Sequence, residues 1–261
     1  MSTPISASDQ DLRALAAIVS QDRPDQPDGE GLLPPSLLAD LKDQTRCDEI
    51  SLEGFDSGRL ETRFLQCNPV ADAEDIAAAD DVQPVHWQHY WSCQSCSYPD
   101  RTGDHRSVIK IADFYSARQW HSTGMYCDIY HPQGFDNSLM LCLPDPAGRT
   151  AEPGRTVRMF FFRGSGLDFS ERDRAVLTLL RPHLHQACLD AERRRHPVPR
   201  LTPRQNDLLH LLAAGHTNTQ IARRLGISEG TVRTHLENIY EKLNVSSRTA
   251  AVTRAFADRV A

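Results

Sequence analysis

Arg233, Thr234 and Glu237 carry three groups that can each recognise the edge of a base pair. A guanidinium pairs in bidentate fashion with guanine, a threonine methyl meets the methyl of thymine, and a carboxylate accepts from the amino group of cytosine. On a helix these residues share one face with Gly230 and Glu241. Thr219, Arg223, Arg224, Thr231, His235, Lys242 and Arg248 lie around them in the sequence. Hydroxyls, imidazoles and cations of this kind contact phosphates, which set register without reading sequence. The same residues would also suit the solvated face of a small helical bundle. The choice depends on whether the surrounding elements place them for the first task.

The helix signals do so. Thr202 is an N-cap, Pro203 fits the first helical position, and Gln205 closes a capping box. Leu208, Leu209, Leu211 and Leu212 make an apolar stripe, and Gly215 stops the helix. Thr217 starts a second helix with Gln220 three residues on. Ile221, Ala222 and Leu225 face inward, and Gly226 ends it. Ser228 caps a third helix whose inward residues are Val232, Leu236, Ile239 and Leu243, with Asn244 as a left-handed stop. Ser246 or Ser247 then opens a fourth helix with Ala251, Val252, Ala255 and Phe256 on one side. Only Gly226, Ile227 and Ser228 join the second and third helices, a turn of helix-turn-helix length. In that geometry the later helix enters the major groove, N-terminal residues first. Agreement of caps, spacing and turn favours a double-stranded DNA reader over a solvated bundle.

The stretches Leu201-Thr202-Pro203-Arg204, Ala213-Ala214-Gly215, Thr217-Asn218, Ile221-Ala222, Ile227-Ser228, Thr231-Val232-Arg233-Thr234-His235-Leu236 and Lys242-Leu243 closely resemble the LuxR-type helix-turn-helix domain found at the C-terminus of many bacterial transcription regulators. The resemblance covers residues 201 to about 257. It implies a four-helix domain with the third helix in the groove and the fourth as a dimer contact. Gln205 and Gln220 stand where the family usually has Glu, and both can still cap. Glu237 occupies a base-facing position often filled by a basic or neutral residue; it either reads a base or repels phosphate at wrong sites.

Charge is partitioned along the chain. The net −6 conceals nine Lys/Arg against five Asp/Glu in residues 200–261, a local +4, and −10 in residues 1–199. The basic footprint sits on the motif, and the acidic remainder would repel DNA unless turned away. The start, MSTPISASDQ, lacks the basic region and apolar core of a signal peptide, and no apolar run reaches membrane-spanning length. Seven cysteines, an odd number, do not suggest a structural disulfide framework. The expectation is a cytoplasmic bacterial protein with no membrane partner.

Upstream, residues 8–20 read as an amphipathic helix and 21–31 as an acidic, Pro/Gly-rich linker. Pro35 starts a helix carrying Leu37, Leu38 and Leu41. Ile50 and Leu52, then Leu60, Thr62 and Phe64, alternate on either side of Asp56-Ser57-Gly58, a hairpin pattern. Residues 84–92, 114–120 and 124–131 read as helices, and 138–143 and 155–163 as strands. A long helix from Ser170, with Phe169 as a staple and Asp173 closing a capping box, runs through Pro182, which should kink it, to Arg193-Arg194-Arg195. Those arginines suit a helix end favoured by the dipole, or a phosphate contact.

The fold class is therefore α+β: an antiparallel sheet with flanking helices, followed by an all-α helix-turn-helix domain. Boundaries fall at 1–31 (helix and linker), 32–195 (sensory and dimerisation domain), 196–200 (linker) and 201–261 (DNA-binding domain). The order of upstream elements, and the stretch FSERDRAVLTLLRPHL, resemble a GAF-like sensory domain, which implies a pocket between sheet and helices. The helix from Ser170 is the natural lever between the two parts.

What the upstream domain senses is less directly written. Its strands do not alternate with helices as an aspartyl-phosphate receiver requires. Trp87, Tyr90, Trp91, Tyr115 and Trp120 concentrate aromatic surface suited to a small-molecule pocket, although Trp87, Tyr90 and Trp91, at i, i+3, i+4, equally suit plain core. His86, His89 and Cys93 fall at i, i+3, i+7 if 84–92 is helical, with Cys96 one turn on. Such a set suits zinc or a redox switch, and equally inert thiols and solvated imidazoles. Apart from zinc no cofactor is expected. Asp113, His121, Ser122 and Asp128 lack a Gly-framed nucleophile or phosphate loop, so no catalytic role is expected. The anticipated partners are double-stranded DNA, a second copy of the chain in a homodimer, a small-molecule ligand and RNA polymerase.

Overall fold

The computed structural model describes residues 15–16, 18–19, 31–69, 83–146, 154–195, 201–243 and 245–256. The chain divides into two units, Met1–Glu192 and Arg193–Ala261. Most of the helix expected over 8–20, nearly all of the linker at 21–31, the linker at 196–200 and the stop at Asn244 lie outside the described residues.

The first unit is built on a five-stranded antiparallel sheet with strand order β2-β1-β5-β4-β3. Its strands are β1 (Glu49–Asp56), β2 (Glu61–Asn68), β3 (Val108–Lys110), β4 (Asn137–Pro144) and β5 (Arg155–Arg163). Side chains alternate across the sheet, so each strand serves two layers. Ile50 and Leu52 of β1, Val157, Met159 and Phe161 of β5 and Leu139, Leu141 and Leu143 of β4 form one core. It is shared with Leu37, Leu38 and Leu41 of α1 (Pro35–Thr45) and with Val176, Leu177, Leu180 and Leu184 of the long closing helix, Glu171–Arg195. Phe55, Phe160, Met140 and Ile109 point the other way, into a second core rich in aromatics. The sheet is thus the middle of three layers. The hairpin forms where expected, and the Phe64 ring packs over Gly54 so closely that a Cβ there would lie 2.4 Å from it and make the ring move.

The second core comes from the connection between β2 and β4. It carries α2 (residues 83–90), α3 (Gln94–Thr102), a 3-10 turn at Ile111–Asp113, α4 (Ala117–Trp120) and a π turn at Tyr126–Tyr130. The helix expected over 114–120 is corrected. Phe114 ends the 3-10 turn, and α4 begins only after Ser116, whose side chain caps it. Neither α3, which contains Pro99, nor the three-residue β3 is marked by periodicity, because each is too short or too irregular to repeat.

The closing helix, α5 (Glu171–Arg195), starts as its sequence dictates. Ser170 N–H and Oγ donate to Asp173 Oδ2 at 2.8 and 2.9 Å, Asp173 N–H donates back to Ser170 Oγ at 3.2 Å, and Phe169 is buried. The helix continues through Pro182.

The second unit contains four helices among its described residues: α6 (Pro203–Ala213), α7 (Asn218–Leu225), α8 (Glu229–Leu243) and α9 (Arg248–Phe256). Thr202 with Gln205, and Thr217 with Gln220, form reciprocal capping boxes. Leu208, Leu209, Leu212, Ile221, Val232, Leu236, Ile239, Leu243 and Ala251 make its core.

Candidate functional site

In the second unit α8 is held at its N-terminal end. Gly226 takes the left-handed conformation (φ 65°) and donates to Ala222 O, as does Ile227 at 3.1 Å, which turns the chain within three residues. Ser228 Oγ accepts from Thr231 N at 3.1 Å and caps α8. Thr219 Oγ1, on α7, donates to Glu229 Oε2 at 3.2 Å, and the Arg204 guanidinium donates to Leu225 O. With Val232, Leu236, Ile239 and Leu243 buried on one side, Gly230, Thr231, Arg233, Thr234, Glu237 and Glu241 are exposed on the other. Thr234 Oγ1 donates its proton to Gly230 O at 3.2 Å, which leaves the methyl and the oxygen's acceptor lone pairs for a partner. Arg233 and Glu237 form no ion pair among the described residues, and both heads are free to meet base edges.

The surrounding cations divide. Arg223 and Arg224 are exposed on α7, as is Thr231 at the start of α8, whereas His235 is half-buried. Lys242 Nζ donates to Gln205 Oε1 at 3.2 Å, tying α8 to the cap of α6 while the residue stays exposed. Arg248 is half-buried, and its Nη2 donates to His216 O and, at 3.4 Å, to Leu212 O, tying the start of α9 to the end of α6 and the loop after it.

In the first unit, polar chemistry gathers on the aromatic face of the sheet. Arg158 of β5 is fully buried and hydrogen-bonded through each of its three nitrogens. Its Nε donates to Thr156 Oγ1 at 3.1 Å, Nη1 to Cys96 O at 2.6 Å and Nη2 to Asp100 Oδ2 at 2.7 Å. The guanidinium lies 4.5 Å from the Phe55 ring centroid, and Tyr90 Oη also donates to Asp100. Glu53 stands opposite Arg158 across the β1–β5 ladder. Burial pushes its carboxyl up to about 7, against the lowering effect of a 2.6 Å bond from Ser51 Oγ.

The aromatic set expected at a pocket is mostly packed against itself. Trp87, Tyr90 and Trp120 are packed as core, Tyr115 is half-buried against them, and Trp91 is exposed. The i, i+3, i+4 stripe therefore splits between core and solvent. One cavity on this face is lined by residues including Ser95, Cys96, Ile109, Tyr130, Ser138 and Phe160. Its free volume of about 10 Å³ holds roughly one water. Tyr130 Oη and Ser138 Oγ, 3.1 Å apart, are two of its polar groups.

The set His86, His89, Cys93 and Cys96 does not converge. α2 ends at residue 90 and Cys93 caps the next helix, so the i+7 relation that would align it with His86 is lost. The His86 ring packs on Phe55, Trp87 and Tyr90, and burial lowers its pKa to about 4. His89 Nε2 instead meets Asp128 Oδ2 at 2.7 Å. Among the described residues no three His, Cys, Asp or Glu side chains are grouped to hold a metal. Of this set only the two thiols lie close enough to perturb each other. The remaining candidates also disperse. Asp113 pairs with Arg174 at 2.6 Å, His121 with Asp136 at 3.4 Å, and Ser122 Oγ donates to Gln119 O at 2.8 Å.

Arg158, Asp100 and Glu53 were not singled out by sequence reasoning. A signal exists for Arg158: in RTVRMFFFR a lone charge occupies the face that Phe160 and Phe162 share. No comparable signal marks Asp100, which lies on a helix lacking periodicity.

Residues 199–255 match the family model described as "Bacterial regulatory proteins, luxR family". The probable transcriptional regulatory protein SgaR of Hyphomicrobium methylovorum is 47% identical over 79 residues, covering 30% of this chain and 37% of that protein. The nitrate/nitrite response regulator protein NarP of Escherichia coli (strain K12) is 54% identical over 55 residues, 21% of this chain and 26% of that protein. The chain thus spans well under half the length of the curated relatives it matches. Escherichia coli SdiA shares the fold more extensively, with a TM-score of 0.55 at 16% identity over 95% of this chain and 96% of SdiA. SdiA in complex with octanoyl-rac-glycerol gives 0.57 at 16% identity, over 97% of each chain.

Proposed function

We propose that this chain, whose C-terminal domain is of the luxR type of bacterial regulatory proteins, is a sequence-specific DNA-binding transcription regulator controlled by its N-terminal α+β unit. The observation that carries this reading is the α8 face, where Arg233, Thr234 and Glu237 stand exposed on a helix fixed by a three-residue turn. Arg233 pairs with guanine, the Thr234 methyl packs on thymine, and Glu237 accepts from cytosine or rejects sites that bring phosphate close. Arg223, Arg224 and Thr231 supply sequence-independent phosphate contacts. Two copies of the chain bind a near-palindromic site with their α8 helices in successive major grooves, and the bound dimer acts on transcription through RNA polymerase. Cytoplasmic placement follows from DNA as the partner; no described helix is long and apolar enough to cross a membrane.

Control enters through the first unit, by a small ligand or a protein partner. The fold shared with SdiA, a protein solved with octanoyl-rac-glycerol, supports a ligand, as do the hydroxyls of Tyr130 and Ser138 at the cavity. A ligand of that size enters this cavity by displacing side chains such as Tyr130 and Phe160, since the cavity itself holds roughly one water. This reading assigns no catalytic step to the chain.

Sequencing genomic fragments retained by the purified full chain tests the proposal. A shared near-palindromic motif, bound at least about a thousandfold more tightly than random DNA, is the expected result. Retention without any sequence preference at physiological salt overturns it.

A further inference from the structure

We propose that Cys93 and Cys96 are a peroxide-oxidisable dithiol that closes to a disulfide across the first turn of α3. This inference stands apart from the DNA-binding reading. Cys93 is the N-cap of a nine-residue helix and Cys96 is its third residue. Residues three apart on a helix hold their Cβ atoms about 5–6 Å apart, and a disulfide needs about 3.5–4.5 Å. The extended N-cap conformation of Cys93 (φ −83°, ψ 111°) lets its side chain fold back over the first turn, close enough to the Cys96 thiol for each to perturb the other. Ser95 Oγ lies 3.3 Å from Cys93 Sγ, and the Cys93 carbonyl is fixed by Ser97 N–H at 3.1 Å and Ser97 Oγ at 2.7 Å.

The two sulfurs are differentiated. Interaction with the Cys96 thiol lowers the Cys93 thiol below its ordinary value, and the same interaction with burial raises that of Cys96 well above its own. Helix N-termini favour thiolates in the same sense. Cys93 is thus the attacking thiolate and Cys96 the resolving thiol. Burial pushes Cys47 and Cys142 up to about 11 and Cys188 up to about 12, so those thiols stay protonated at neutral pH. Cys93 and Cys96 are also buried; Cys96 and Ser95 line the cavity, Cys93 Sγ lies directly behind Ser95 Oγ at 3.3 Å, and hydrogen peroxide is scarcely larger than the single water this space can hold.

The chemistry balances as follows. The Cys93 thiolate attacks one peroxide oxygen, the O–O bond breaks, and hydroxide leaves and takes a solvent proton, giving sulfenic acid and water. The Cys96 sulfur then attacks the Cys93 sulfur, the S–O bond breaks, and the departing hydroxide takes the Cys96 proton as a second water. Two thiols are oxidised to one disulfide and one peroxide is reduced to two waters.

The test treats the full chain with hydrogen peroxide, alkylates free thiols and maps peptides without reduction. Trypsin releases residues 64–101 as one peptide, which also holds Cys67. The expected result is loss of two hydrogens from this peptide, with fragmentation placing the bridge between Cys93 and Cys96 and dithiothreitol restoring both thiols. In Cys96→Ser, dimedone captures a sulfenic acid on Cys93. The proposal is overturned if both thiols remain alkylatable while exposed Cys127 oxidises, if the bridge joins Cys67, or if Cys93 passes to sulfinic acid with no disulfide. Should Cys96→Ser fail to fold, the wild-type map decides alone.

Discussion

Arg158 Nη2 lies 2.7 Å from Asp100 Oδ2, with the arginine side chain fully buried and the carboxylate nearly so. Through this pair and the bond from Nη1 to Cys96 O, one guanidinium joins the centre of the sheet to α3. Removing one partner of a buried pair strands the other charge, at a cost of about 3–5 kcal/mol. Arg158→Ala is therefore expected to destabilise the first unit by that amount. Arg158→Met combined with Asp100→Leu should cost less than Arg158→Ala alone, because no unpaired charge remains. All three tryptophans belong to this unit, so the fluorescence change in urea reports its unfolding separately. A double variant less stable than Arg158→Ala would contradict the argument.

Glu53 predicts a pH dependence of defined sign. Its folded carboxyl is raised to about 7 from an ordinary 4.5, so the folded state holds its proton more tightly than the unfolded chain. That contribution is complete below pH 4.5 and is lost as pH rises through 7. Glu53→Gln mimics the protonated form. Its melting temperature relative to wild type should climb between pH 4.5 and 7 and level off above. His86, lowered to about 4 by burial, acts in the opposite direction: its contribution is present above pH 6.5 and lost as pH falls toward 4. A flat difference for Glu53→Gln across the upper window would remove Glu53 as its source.

Arg233→Ala is expected to cost about 1–3 kcal/mol on the preferred site and to relax the choice at one base pair. Fluorescence anisotropy with preferred and scrambled duplexes measures both. An equal loss on the two duplexes would make Arg233 a phosphate contact.

Arg223 and Arg248 should separate in salt titrations. Arg223→Ala removes an exposed cation from α7 and should lower the slope of log affinity against log salt by about one unit. Arg248, bound to carbonyls at the end of α6, should leave that slope unchanged when replaced by Ala, while lowering the stability of the C-terminal unit by about 1–3 kcal/mol. A reduced slope for Arg248→Ala would return it to the phosphate-contacting set.

Thr217→Ala removes the side-chain acceptor of Gln220 N–H at the start of α7 and should destabilise the C-terminal unit by about 1 kcal/mol. Thermal unfolding followed by circular dichroism checks this. Thr217→Ser should retain most of the stability, since the hydroxyl is preserved.

The C-terminal unit was legible almost residue by residue, because its information is local. Capping boxes at Thr202–Gln205 and Thr217–Gln220, the left-handed Gly226 and the buried series Val232, Leu236, Ile239 and Leu243 act over three or four positions. The exposed face of α8 follows directly from the buried one. The tie of Arg248 to Leu212 and His216 was not legible, because those partners lie more than thirty residues away and nothing in its own neighbourhood points to them.

In the N-terminal unit the sequence alone determined the hairpin, strands β4 and β5 and the start of α5, where alternation or a capping box states the element outright. Tertiary structure decided what the sheet's second face holds. Arg158 meets Asp100 across 58 positions, Glu53 faces Arg158 only through strand pairing, and the break after residue 90 parts two histidines from the cysteines they seemed to join. Local free energies set helix ends and strand phase. A buried charge takes its meaning from whichever distant group folding brings within hydrogen-bonding reach, which periodicity does not encode.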